Sequence, residues 1–316
     1  MTDSAPDRGT MMRRAAIASV TAALLLLGTK TWAVWQTGSV ALLGSLADTG
    51  LDLIASLVTF FAVRVAAEPA DREHRFGHGK AEAIAALFQT MLIGISALAI
   101  AWRAIMRFAS PAEVDQPVAG IGVSIFAIVV TLALVVYQKR IAKRTGSLAI
   151  ETDSLHYQSD LALNAAVIAA LLLASVGLSG ADPVFGLAIA LWLGWTAFHA
   201  ARRAIDMLMD REWPELKRQQ LLNMVSMLPD VHGIHELRTR RAGDQDFVQF
   251  HMWVDPDLTV KAAHDISDRV EMAVLTAYPG TELLIHVDPR GHMDESEVEE
   301  DHFCPINPED ELPSAT

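Results

Sequence analysis

Six long apolar segments fill the first two thirds of the chain and leave it few folds. They run from Met12 to Trp35, Val40 to Ala66, Ala81 to Phe108, Val118 to Ala142, Ser147 to Val176 and Pro183 to Met207. Crossing the hydrocarbon of a bilayer takes about 20 mostly apolar residues as a helix. The pattern therefore predicts a membrane all-α six-helix transmembrane bundle over residues 12–208, with the lipid bilayer as its surroundings, after an N-terminal tail of residues 1–11. Arg13 and Arg14 before the first segment resemble the start of a signal peptide, but the apolar run is too long for one, so it reads as a retained span. Lys30, Arg103 and Arg107 fall near segment ends, where long basic side chains reach the headgroups.

Basic residues give the orientation. Arg72, Arg75 and Lys80 follow the second segment, Lys139, Arg140, Lys143 and Arg144 close the fourth, and Arg211 follows the sixth. The alternate connections, Gln36 to Ser39, Ala109 to Pro117 and Gly177 to Asp182, hold neither Lys nor Arg. The excess of positive charge on cytoplasmic loops predicts both termini in the cytoplasm. Short loops suggest a bacterial cytoplasmic (inner) membrane.

Beyond Trp213 the pattern becomes that of a small soluble domain spanning residues 209–290. A helix is expected over Pro214 to Leu228, strands over Gly233 to Arg241 and Phe247 to Val254, an amphipathic helix over Val260 to Tyr278, and a short strand over Leu283 to Val287. The order αββαβ makes an α+β layer. The net charge of −13 argues against a nucleic-acid partner, and it is uneven, with nine acidic and no basic residues after Arg290. Residues 291–316 thus read as an acidic, disordered tail, in which His292, His302 and Cys304 would at most collect metal weakly. Because Cys304 is the only cysteine, no disulfide framework and no thiolate-based zinc site is open to the chain. Histidines and carboxylates must hold any metal.

Within the apolar segments, Asp48 and Asp52 stand one helical turn apart, and His156 and Asp160 repeat the spacing. Ionisable side chains at that depth are costly and usually functional. Positions i and i+4 share a helix face about 5–6 Å apart, so two adjacent helices would converge four ligands. One imidazole and three carboxylates suit tetrahedral Zn²⁺ better than an all-oxygen Ca²⁺ or Mg²⁺ site, while leaving Cd²⁺, Fe²⁺, Co²⁺ and Mn²⁺ open. Gly44, Ser45, Ala47 and Gly50, with Ser154, Ser159 and Ala162, would allow close helix approach. Metal binding requires deprotonated ligands, so emptying such a site recruits protons, His156 being the expected carrier. Asp153 would either relay protons or cap the fifth helix.

With these residues in view, the chain resembles the cation diffusion facilitators, dimeric six-span exporters of divalent transition-metal cations in exchange for protons. The A-D-T-G-L-D run and H-Y-Q-S-D carry the likeness at Asp48, Asp52, His156 and Asp160, and a histidine at 156 resembles the zinc and cadmium subgroup. The P-A-D-R-E-H-R-F-G-H-G-K-A-E stretch is similar to a loop in which Asp71, His74 and His78 would form a weaker metal site. Lys80 would pair with Asp210 at the homodimer interface. In the soluble domain, which the resemblance implies to be metallochaperone-like, His235, His251, His264, His286 and Asp288 would bind two Zn²⁺ ions as regulatory ligands. Asp288 would bridge them, and His264 would come from the other protomer.

The resemblance implies a transporter and no enzyme. An intramembrane metalloenzyme would leave an open metal position beside a general base, and H-E-x-x-H is absent from the chain. A metal-gated channel or a membrane metal sensor is the other alternative. His199 and His232 have no expected partner.

Overall fold

The computed structural model describes residues 8–37, 40–109, 121–175 and 181–291. The acidic segment with His292, His302 and Cys304, the first seven residues, and the connections 38–39, 110–120 and 176–180 lie outside the described residues. The chain divides into two compact units, Met1–Leu208 and Met209–Thr316.

In the first unit the apolar segments form α1 (Arg8–Thr37), α2 (Val40–Ala66), α3 (Ala81–Ala109), α4 (Ile121–Thr145), α5 (Leu148–Ser175) and α6 (Ala181–Leu208). Among the described residues, five of these are long and apolar enough to cross a membrane. The remaining helix, α5, is 28 residues long and carries Glu151, Asp153, His156, Gln158, Asp160 and Asn164 among mostly apolar residues. It carries half of the expected transport ligands.

Small side chains set how closely the helices pack. Ala83, Ala86, Ala97, Ala197 and Ala204 are buried between α3 and α6, and a Cβ added at Gly186 would meet Ala104 Cβ at 3.3 Å. In lipid, where burying apolar surface between helices gains little, such close approach and its dispersion contacts drive association. The outward faces expose large apolar side chains such as Leu24, Leu98, Trp102, Leu191 and Phe198, as a lipid-facing bundle requires.

The second unit has the expected αββαβ order: α7 (Glu215–Ser226), β1 (Gly233–Ala242), β2 (Gln245–Val254), α8 (Val260–Ala277) and β3 (Thr281–Pro289). The sheet runs β1-β2-β3, with β1 antiparallel to β2 and β3 parallel to it. Parallel pairing needs a crossover, which α8 supplies. Thr259 caps α8, its Oγ1 accepting from the Ala262 amide at 3.2 Å. Successive strand side chains point to opposite faces. Val248, Phe250, Met252 and Val254 of β2 thus share a core with Leu221, Val225, Ile266, Val270 and Val274 of the helices. His251 and Trp253 stand on the other face.

Candidate functional site

Two helices bring the principal cluster together. His156 on α5 lies with its Nε2 2.9 Å from Asp52 Oδ1 on α2, a hydrogen bond that the imidazole donates because an ionised carboxylate can only accept. One donor atom each from Asp52, His156 and Asp160 falls within 4.8 Å of the others. The side chains of His156 and Asp52 are only 10% and 15% exposed, so the group is largely shielded. Of the four expected ligands, Asp48 stands outside this set and is exposed, although it shares the Asp52 face of α2.

Lys30 reaches across to a neighbouring helix. Its ammonium turns inward and donates to Thr49 Oγ1 at 2.5 Å and to the Ser45 carbonyl at 3.3 Å, both on α2. These acceptors on a neighbouring helix hold the ammonium against α2. Nothing in the composition of α1 pointed to this, since the partners sit on another segment.

Three residues before His156, Asp153 is fully buried. Its Oδ2 accepts from Ser19 Oγ at 2.6 Å and Gln138 Nε2 at 2.5 Å, and its Oδ1 from Gln89 Nε2 at 3.0 Å and Thr59 Oγ1 at 3.5 Å. Those donors come from α1, α4, α3 and α2, so a single carboxylate ties five helices. Tyr157 joins through Ser56 at 2.8 Å, which in turn contacts Ser19 at 2.9 Å. The capping alternative for Asp153 is overturned, because the start of α5 is satisfied elsewhere. Ser147 Oγ accepts from the Ile150 amide at 3.3 Å, and Glu82 of α3 accepts from the Ala149 amide at 3.5 Å and from the Ser147 hydroxyl. Four donors thus occupy both oxygens of Asp153, and among the described residues no hydrogen bond joins it directly to His156.

A second cluster lies in the connection between α2 and α3. Asp71, His74 and His78 offer three donor atoms within 4.8 Å, and the two imidazole rings stand 4.5 Å apart. His74 Nδ1 and His78 Nε2 approach the Asp71 carboxylate at 3.5 and 3.6 Å. The turn is built by Asp71 itself, whose Oδ1 accepts from the backbone amides of His74 and Glu73 at 2.6 and 2.8 Å. These bonds, the His74 amide foremost, hold its carboxyl below the usual carboxylate range. Asp71 and His74 are exposed. Lys80, at the foot of this connection, donates to the Leu208 carbonyl at 3.2 Å.

The third cluster is a consequence of strand register. His235 of β1 pairs with His251 of β2, and His251 with His286 of β3, so three imidazoles line up across the sheet on the face away from the helices. Asp288, two residues beyond His286 and therefore on the same face, gathers them: His251 Nδ1 at 3.0 Å, His286 Nε2 at 3.1 Å and His235 Nε2 at 3.4 Å. His235, His251 and Asp288 form the compact three-donor set. Exposure rises along the row from 1% at His235 to 26% at His251 and 63% at His286, so a deep end and an open end are built in.

His264 is not brought to the row within the chain; it lies on α8, 69% exposed, beside Asp268 at 3.5 Å. Sequence reasoning missed Glu236. The register shift between His235 and Arg238 marks a bulge in β1, and Glu236 sits there with φ +49°, its Oε2 3.8 Å from His251 Nε2. A bulge re-aims side chains toward a site, yet a glutamate between His and Leu carries no sequence signal of one. Asp210 approaches Arg240 Nη1 at 3.5 Å.

Imidazole and carboxylate groups held this close are the donor chemistry of first-row transition ions. Set in a bundle of membrane-length helices, they define an integral membrane protein with donor sets for metal cations. Comparison with known proteins makes the class specific. The family model for the cation efflux transmembrane domain matches residues 16–209, and that for the cation efflux protein, cytoplasmic domain matches residues 213–290. The cation-efflux pump FieF of Cronobacter sakazakii (strain ATCC BAA-894) is 42% identical over 283 residues, 90% of this chain and 94% of that pump. That of Salmonella arizonae (strain ATCC BAA-731 / CDC346-86 / RSK2980) is 41% identical over 281 residues, 89% of this chain and 94% of the other. Among solved structures, the metal-bound C-terminal domain of the CzcD transporter from Thermotoga maritima is 30% identical over 25% of this chain and 95% of its own, with a TM-score of 0.24. The chain belongs to the cation diffusion facilitator, or cation-efflux, family. It is a transporter that exports metal cations.

Proposed function

We propose that the protein exchanges divalent transition-metal cations, Zn²⁺ foremost and Cd²⁺ and Fe²⁺ after it, for protons across a bacterial cytoplasmic membrane, with both termini in the cytoplasm. The observation that carries the reading is the Asp52–His156–Asp160 cluster, three donors within 4.8 Å on two packed helices. Asp48, one turn from Asp52, completes the ligand set when metal is bound. The hydrogen between His156 Nε2 and Asp52 Oδ1 occupies lone pairs that the metal needs, so loading the substrate displaces a proton. That competition is the chemical basis for antiport.

The cytoplasmic row supports a regulatory reading. Three imidazoles in line would be fortuitous on a solvated sheet, whereas the register here gathers them on one carboxylate, Asp288, a donor set that fits Zn²⁺. His264 of the partner subunit completes the site at the open end, so metal tightens the homodimer, and Lys80 with Asp210 supports the same interface. Such regulation works only if the bound metal favours one arrangement over the other. The Asp71, His74 and His78 loop serves as a weaker, exposed site.

Proteoliposomes carrying an internal zinc fluorophore and a set pH gradient test the proposal. Wild-type uptake should follow the proton gradient, and Asp52→Ala and His156→Ala should abolish it. Variant transport at the wild-type rate would remove the site, and flux indifferent to the gradient would favour a channel.

A further inference from the structure

Lys30 is tied to a transport helix inside the bundle, and its partners explain little by themselves. The ammonium donates to Thr49 Oγ1 and the Ser45 carbonyl, both uncharged, and among the described residues it closes no ion pair with a carboxylate. Its charge is therefore not spent in a single bond. Ser45, Asp48, Thr49 and Asp52 lie at i, i+3, i+4 and i+7 on α2, one continuous helix face. Thr49 is fully buried and its hydroxyl also reaches the Ser45 carbonyl at 3.1 Å, which fixes the anchor to which the ammonium is fastened. The fastening places a positive charge on the strip that carries both α2 carboxylates, the strip from which Asp52 meets His156 and Asp160 of α5.

We propose that Lys30 is the built-in counter-cation of the transport site, a positioning residue that offsets its carboxylates and keeps metal binding weak enough for release. The inference rests on the proposed site at Asp52, His156 and Asp160. Without a counter-charge, three carboxylates would hold a divalent ion strongly in a medium that screens poorly. A tethered ammonium repels the ion without competing for its ligands, since Lys has donors only. It also shields the carboxylates from one another after the metal leaves. A purely structural tie between α1 and α2 would affect folding but not the balance between binding and turnover.

The experiment compares wild type, Lys30→Gln, Lys30→Arg, Thr49→Val and Asp52→Ala in zinc-flux proteoliposomes at one fixed pH, reading half-saturation concentration and maximal rate separately. Lys30→Gln should lower the half-saturation concentration about ten-fold and reduce the maximal rate, as loss of a repulsive charge slows release. Lys30→Arg should keep near wild-type half-saturation. Should Lys30→Gln fail to reconstitute, Thr49→Val, which unfastens the ammonium while preserving shape, should shift half-saturation in the same direction. Half-saturation unchanged or raised in the folded variant overturns the proposal. An Asp52→Ala protein that transports normally would instead overturn the underlying site, so the two failures are distinct.

Discussion

Replacing Asp153 with Ala tests whether a buried carboxylate is the knot of the bundle. The substitution removes the acceptor of four hydrogen bonds, from Ser19, Thr59, Gln89 and Gln138. Side-chain hydrogen bonds within membranes average about 0.6 kcal/mol each, and bonds to charged groups reach roughly 1.5–3 kcal/mol. Some donors keep other acceptors: Gln89 still reaches the Ala55 carbonyl and Ser19 still reaches Ser56, whereas Gln138 Nε2 is left with none of its described bonds. The loss should therefore be about 2–5 kcal/mol, less than four full charged bonds. For a unit of this size that corresponds to a fall of roughly 4–20 °C in apparent Tm.

Asp153→Asn should be milder. The side-chain oxygens of Gln89 and Gln138 have no hydrogen-bond partner, so turning the Gln138 amide over would present an acceptor to the new Asn amide. Thermal unfolding of the full chain in detergent, followed as the monodisperse fraction remaining after heating, separates the two variants. An Asp153→Ala protein as stable as wild type would refute the reasoning, as would an Asn variant that loses as much as the Ala variant.

Two further outcomes follow from the sites outside the bundle. In the loop, the folded-state carboxyl of Asp71 titrates below its ordinary value, so its turn is fully stabilised above the unfolded value of 3.8 and is lost as pH falls through the depressed one. Asp71→Ala should accordingly speed hydrogen exchange of the Glu73 and His74 amides at neutral pH, and unchanged exchange would contradict the turn. In the soluble domain, His235→Ala combined with His286→Ala should abolish zinc-dependent compaction of the dimer measured by small-angle scattering, and persistence of that compaction would remove the regulatory role from the histidine row.

The elements of both units were legible in the sequence because their signals are local. Apolar runs of membrane length mark α1 to α6, and the alternation through Val248, Phe250, Met252 and Val254 marks a half-buried strand. The paired spacing of Asp48 with Asp52 and of His156 with Asp160 also reads directly, since a helix turns neighbours at i and i+4 onto one face. Spacing along a chain, however, says nothing of which helix lies beside which. Packing alone decided that Asp52, His156 and Asp160 converge while Asp48 stands apart, that Lys30 turns inward to α2, and that Asp153 gathers donors from four other helices. The same holds in the sheet, where histidines 16 and 35 positions apart become neighbours only through strand register, and where a bulge aims Glu236 at His251. Long-range pairing of this kind depends on shape and on the hydrogen bonds left over when helices and strands meet, quantities that no single segment contains.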